Sequence, residues 1–361
     1  MALSFEARAE PSTAMRWASP LVAAALTAIG GLLVFAALGR DPFDGFRAFF
    51  VNPVRDLYGL AELLLKATPL MLIAVGLAPG FRANVWNIGA EGQFIAGAVA
   101  ASGVALHADA AWGVATPVAM ALAGAAGGAA WAAIPAWLRT RFHASEILVS
   151  LMLVYIAQFG VSWLVHGPWK DPEGFNFPQT RMFADAALLP ILAPGTRLNA
   201  AFALALAALV AAYVLMQRSF IGFQMRVAGE SAAAARYAGF AEPRRFWFAL
   251  LVGGAAAGVA GMAEVAGPMG QLTEHVSNNY GFAAIIVAFV GRLQPIGILL
   301  ASLLMALLYL GGEQAQQVLG LPSSIAKVFQ GMLLFFLLGA DVFVGYRLRW
   351  TRGVAAAPAA R

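Results

Sequence analysis

The run Asn84-Val85-Trp86-Asn87-Ile88-Gly89-Ala90-Glu91-Gly92-Gln93 sets amides and a carboxylate at the mouth of an apolar segment. Polar groups of this kind are costly in hydrocarbon unless they turn inward, toward a partner or a water-filled path. The stretch therefore points to a transporter and away from a simple anchor. Its surroundings say the same. The chain has 361 residues, of which 61% are hydrophobic and 11% charged, with a mean hydropathy of +0.76. A soluble domain carries about 25% charged residues, so this is an integral membrane protein.

Moving outward, a helix needs about 20 apolar residues to cross the hydrocarbon core. Candidate spans fall at roughly 19–38, 58–79, 88–107, 114–138, 146–166, 198–216, 246–266, 281–291, 295–311 and 323–344. The fold expected is all-α, with about ten transmembrane helices and one short or broken helix near 281–291. That segment, closed by Gly291, Arg292 and Pro295, is of the interrupted kind that lines transport paths. The first apolar run is long for a signal peptide and is read as a span. The chain from 1 to 361 is read as a single membrane domain.

Basic residues set the expected orientation. With ten crossings, fifteen Lys or Arg fall on one face and six on the other. The richer face carries Arg8, Arg16, Arg82, Arg139, Arg141, the cluster from Arg218 to Arg245, Arg292 and the tail from Arg347 to Arg361. Positive charge accumulates in the cytoplasm, so both termini are expected there. Merging 281–311 into one span would place the basic tail outside. The net charge of +5 is thus an orientation signal and not a nucleic-acid footprint. The opposite face carries loops 39–57 and 167–197. Aromatics in the first suit an interfacial helix, and prolines in the second suit an irregular cap.

Between spans six and seven, within loop 217–245, Ser231 is placed to cap an Ala-rich helix. Arg236 complements its C-terminal dipole, and Gly239 is placed to end it. The result expected is a short, self-capped cytoplasmic helix.

This loop, Arg226-Val-Ala-Gly-Glu-Ser-Ala-Ala-Ala-Ala-Arg-Tyr-Ala-Gly-Phe, resembles the coupling loop of bacterial ABC importer permeases of the ribose/branched-chain-amino-acid class. Thr68-Pro69-Leu70, Phe81-Arg82-Ala83-Asn84 and Asn87-Ile-Gly-Ala-Glu-Gly-Gln resemble its nucleoside and simple-sugar branch. So do the runs starting at Arg141 and Tyr280. Two places depart from the pattern: Ser231-Ala232-Ala233, less polar than its counterpart, and Pro79-Gly80.

The resemblance implies a permease subunit, in the bacterial cytoplasmic (inner) membrane, that imports nucleosides or other small polar solutes. It implies that Arg226, Gly229, Glu230, Arg236, Tyr237 and Gly239 couple to a separate ABC ATPase subunit. Its other implied partners are a second permease subunit, whether a related chain or a second copy, and an extracytoplasmic substrate-binding protein. No cofactor is expected in this chain, with ATP and Mg held by the ATPase. The lysines bear this out: Lys66, Lys170 and Lys327 follow Leu65, Trp169 and Ala326, so none sits in a phosphate-binding Gly-Lys-Ser/Thr loop. The chain has no cysteine, and its four histidines lack ligand spacing. No Gly-x-Ser-x-Gly nucleophile signature supports a membrane enzyme.

For the translocation path or gate, the polar residues inside spans are the candidates: Asn87, Glu91, Gln93, Gln158, Glu264, Asn278 and Asn279. Glu91 also has a structural reading, as an anchor in the first turn of its helix at the cytoplasmic boundary with Asn87 as cap. An ion-coupled secondary carrier using Glu91 or Glu264 is the rival reading.

Overall fold

A computed structural model describes residues 2–8, 10, 12–108, 112–322 and 324–351. Arg352 and Arg361 of the basic tail, and Ser323 at the start of the tenth expected span, lie outside the described residues. In chain order the helices begin with α1 (Thr13–Ala37), α2 (Pro42–Phe46), α3 (Leu57–Arg82), α4 (Ala90–His107), α5 (Ala115–Phe142) and α6 (Glu146–His166). They continue as α7 (Ala201–Arg218), α8 (Phe220–Glu230), α9 (Ala232–Tyr237), α10 (Glu242–Glu264), α11 (Tyr280–Val290), α12 (Pro295–Leu319) and α13 (Ile325–Gly345).

Every expected span is helical. Eight helices (α1, α3, α5, α6, α7, α10, α12 and α13) are long and apolar enough to cross a membrane. The other two are α4, whose 18 residues include Glu91 and Gln93, and α11, which has only 11 residues. The chain is therefore a multi-pass membrane protein. Internal contacts divide it into two units, Met1–Asn52 with Gly311–Arg361, and Pro53–Leu310.

In the first unit α1 packs along α13. Ser12 starts α1 by accepting from the Met15 N–H at 3.2 Å, and Asp41 starts α2 by accepting from Phe43 and Asp44. The aromatics after Asp41 were expected to lie at the interface. Phe43 is exposed, but Phe49 is fully buried and stacks on Phe329 with ring centroids 4.2 Å apart. A ring cluster with Phe35 removes more apolar surface from water than interfacial contact does. An addition to the all-helical expectation is a two-stranded antiparallel ribbon, β1 (Ala2–Ala7) with β2 (Tyr346–Thr351), in which Glu6 and Arg347 pair at 3.0 Å. Residues 2–7 and 346–351 thus lie side by side.

In the second unit α10 packs against α3, α4 and α5. α3 carries an unbroken buried run from Ala67 to Phe81 despite Pro69 and Pro79 inside it, as an all-round apolar helix in a bundle interior should. Small residues let the α10 backbone meet its neighbours directly. Loop 167–200 is irregular, as expected, and is pinned by short bridges at Gln179–Thr273 and Ile191–Asn199. Arg197, near its end, forks onto the buried Glu62 of α3, with Nε 2.9 Å from Oε1. The hydrogen bond to that carboxylate pushes the guanidinium above its ordinary pKa, against a smaller opposing effect of burial, so the clamp holds at every physiological pH.

Candidate functional site

The polar stretch of the sequence forms an elbow. α3 ends at Arg82, residues 83–89 run without helix, and Asn84 adopts a left-handed φ of 55°. Asn87 and Gln93 then close a reciprocal amide pair, with Nδ2 to Oε1 at 2.8 Å and Nε2 to Oδ1 at 3.0 Å. The Asn87 oxygen also accepts from the Gly89 N–H. Both side chains are buried, and their mutual bonds meet the requirement that buried amides find partners.

Glu91 is 1% exposed. Its Oε2 accepts the Gly281 N–H at 2.7 Å, and the Ser277 hydroxyl and the N–H groups of Asn279 and Phe282 lie around the carboxylate. These donors form the start of α11, where helical N–H groups lack intrahelical partners. The residue that should cap α11, Asn279, sits in a left-handed conformation and makes no side-chain cap bond. Ser277 Oγ accepts the Tyr280 N–H at 3.4 Å, and the shorter cap bond comes from α4. Backbone approach is equally close, since a Cβ on Gly281 would overlap the Glu91 main chain.

The depth of this contact follows from the other end of α11. Arg82 donates to the Leu293 carbonyl at 2.8 Å, so the end of α3 and the end of α11 share one level. The 11 residues of α11 rise about 16 Å, roughly half the hydrocarbon core. Glu91, at the start of α11, thus lies about that far along the helix from the level of Arg82, because the non-helical elbow of residues 83–89 carries the chain along the bundle before α4 begins.

The structure pairs Asn87 with Gln93 and sets Glu91 at the start of α11, beside Asn279, while Gln158, Glu264 and Asn278 make neither contact. Gln158 is on an exposed face of α6. Glu264 is buried at the end of α10, where the chain continues as the π-helical turn Val265–Met269. Asn278 is exposed and offers its carbonyl to the Tyr309 hydroxyl at 2.9 Å. Sequence reasoning passed over Ser277, Tyr280 and Tyr309. Tyr280 is fully buried, against Phe94 and Tyr309. A serine just before the Asn-Asn pair was a readable cap signal, whereas Tyr309 lies within an apolar span and carried none.

A second constellation is the loop between α7 and α10. The single short helix expected there is a pair, α8 and α9, broken at Ser231. Ser219 starts α8 by accepting from Gly222 at 3.0 Å, and Ser231 starts α9 by accepting from Ala234 at 3.2 Å. Arg236 is in the last turn of α9, and Gly239, with φ of +78°, ends it.

The six candidate coupling residues divide by direction. Gly229 faces the bundle: its carbonyl accepts from Asn84 Nδ2 at 2.8 Å, and a Cβ there would overlap the Arg82 carbonyl oxygen. Arg226 reaches back to the Met216 carbonyl and Gln217 Oε1. Glu230 and Arg236 are exposed, and Tyr237 is 97% exposed. Beside them Phe220, Phe223 and Phe240 form an aromatic patch. A groove of about 280 Å³ runs between this patch and the start of α10, lined by Ile221, Gln224, Met225, Arg244 and Phe248 among others. Exposed aromatics rimmed by charge mark an interaction surface.

The profile of the family described as "Branched-chain amino acid transport system / permease component" matches residues 59–338. A glucose ABC transporter permease protein of Haloferax volcanii is 37% identical over 338 residues, covering 91% of this chain and 88% of the relative. A guanosine ABC transporter permease protein of Bacillus subtilis is 28% identical, covering 92% and 95%. A nucleoside ABC transporter permease protein of Lactococcus lactis is also 28% identical, covering 88% and 89%. No solved structure matches the chain.

Proposed function

The chain belongs to the ABC transporter permease family described as branched-chain amino acid transport system permease components, and on that premise we propose that it moves small, neutral, hydroxyl-rich solutes, nucleosides foremost. The observation that carries the mechanism is the α8–α9 pair. It is a stiff, capped element with an exposed aromatic and charged surface, in a chain without a phosphate-binding loop of its own. That surface takes the ATPase subunit, which holds ATP and Mg. Closure of two ATPase domains pushes α8 against the end of α3, and the path switches its open side. Two permease halves enclose the path, this chain contributing one, with loop 217–245 as its coupling segment. A substrate-binding protein delivers solute to the face carrying 39–57 and 167–197.

The 37% identity to a glucose permease favours a second reading for the solute, a monosaccharide. Reconstitution in vesicles with the ATPase, second permease and binding protein decides between them. Uptake of labelled guanosine and uridine that requires ATP and is not displaced by glucose is the expected result. Glucose uptake alone selects the second reading. Uptake driven by a proton gradient without ATP overturns both in favour of a secondary carrier.

The orientation is tested separately. With no native cysteine, single replacements at the exposed Asn176, Gln317 and Ala232 report sidedness cleanly. An impermeant thiol reagent added outside is expected to label Asn176→Cys and Gln317→Cys but not Ala232→Cys. A replacement at Ala355, outside the described residues, should also stay unlabelled. The reverse pattern would invert the topology.

A further inference from the structure

The half-helix α11 presents the anion-binding end of a helix inside the second unit, at the buried Tyr280 and Gly281. Such an N-terminus combines unpaired N–H groups with the positive end of the helix dipole. In interrupted transporter helices these ends meet anionic groups of the substrate. Here the place is taken. The α4 carboxylate of Glu91 accepts from Gly281 at 2.7 Å, with the donors of Ser277, Asn279 and Phe282 around it. Every one of these partners can donate, a set that suits an acceptor-only carboxylate. Asn279 makes no side-chain cap bond, and the helix's own cap is one long bond, from the Tyr280 N–H to Ser277 Oγ at 3.4 Å. The neighbouring amides, Asn87 and Gln93, are engaged with each other and do not compete for the site. The rim above it is reachable, with Asn278 exposed and Ser277 and Asn279 partly so.

We propose that Glu91 is a specificity-determining residue: it fills the anion site of α11 from within the chain and so bars carboxylate- and phosphate-bearing solutes from it. The inference rests on the neutral-solute reading above and sharpens it. A solute bearing its own anion meets a helix end already neutralised, and meets the Glu91 charge as well. A nucleoside or a sugar has no anion to place there.

The test uses the assembled transporter. Glu91→Ala removes the carboxylate and leaves a space of its size at the helix end. Its thermal midpoint should fall, and sodium formate should restore it while isosteric, neutral formamide should not. Neutral-solute uptake should drop by about tenfold or more, as expected when several charge-assisted bonds are lost, and should recover several-fold in formate. The midpoint arm does not depend on which solute is carried, so a wrong solute class and a wrong role for Glu91 give different results. If Glu91→Ala does not assemble, Glu91→Gln keeps the size and removes the charge. In that variant a nucleoside monophosphate or a uronic acid, inert toward the parent, should compete with neutral uptake. A parent-like midpoint and uptake in Glu91→Ala overturns the proposal. So does equal rescue by formamide, or the absence of anion competition in Glu91→Gln.

Discussion

Gly258→Leu is expected to prevent assembly of the second unit, leaving aggregated protein in detergent and no uptake in vesicles. α10 crosses α4 and α5 with bare backbone in contact. A Cβ at Gly258 would land on the Gly124 main chain and 3.0 Å from the Gly128 Cα. On the other side, a Cβ at Gly97 would overlap the Gly258 main chain. Main chain cannot swing aside as a side-chain tip can, so two helices must separate to admit leucine. Overpacking of a core typically costs about 1–3 kcal/mol, and the separation of three buried helices sits at or above the upper end of that range. Marginal stability leaves little reserve against such a loss. Gly160, on α6, has nothing within 4 Å of an added Cβ, so Gly160→Ala should assemble and transport like the parent. Size-exclusion chromatography and thermal melts of the two variants, run together, check the comparison. A monodisperse Gly258→Leu protein with the parent's midpoint would show that α10 can move without loss.

The spans were legible because length and apolarity are local properties. Each of the ten apolar segments became a helix, and the weak eighth one became α11, with Gly291, Arg292 and Leu293 turning the chain at its end. The self-capping of the loop between α7 and α10 was local too: Ser231 caps Ala234, three residues on. What stayed hidden depends on partners distant in sequence. Glu91 finds Gly281 across 190 positions, and no spacing within the polar stretch could announce it. The same stretch read alone suggested a helix-start anchor, since a carboxylate in a first turn is favoured by its own helix. The structure gives that carboxylate to a different helix. The ribbon of β1 and β2 pairs residues 2–7 with 346–351 and was likewise invisible, because each strand alone is too short to declare itself. Gln158 failed for another reason: a single polar residue in a span does not reveal which way its helix face turns.

Gly229→Val and Glu230→Lys should separate two functions that the sequence fused into one motif. Gly229 lies where α8 rests on the end of α3, held by the Asn84 bond to its carbonyl. A Cβ at this position overlaps the Arg82 carbonyl oxygen, so valine must lift α8 away from α3. Arg82 also ties α3 to the end of α11 through Leu293, so the Gly229 contact adjoins the contact between α3 and α11. Loss of the Gly229 contact should leave the ATPase bound and hydrolysing ATP while uptake falls. A coupling free energy between two sites is typically about 1–3 kcal/mol, so the ratio of solute moved to ATP spent should fall by about tenfold or more. Glu230 is exposed, so under the proposed docking on α8 and α9 its reversal to lysine acts on the docked complex itself. ATPase retention on the purified permease should weaken, and hydrolysis and uptake should fall together. Measured side by side, stimulated ATPase rate and uptake diverge in Gly229→Val and remain proportional in Glu230→Lys. Equal transport by both variants would remove α8 and α9 from the coupling path, because neither the contact behind the helix nor the charge in front of it would then matter.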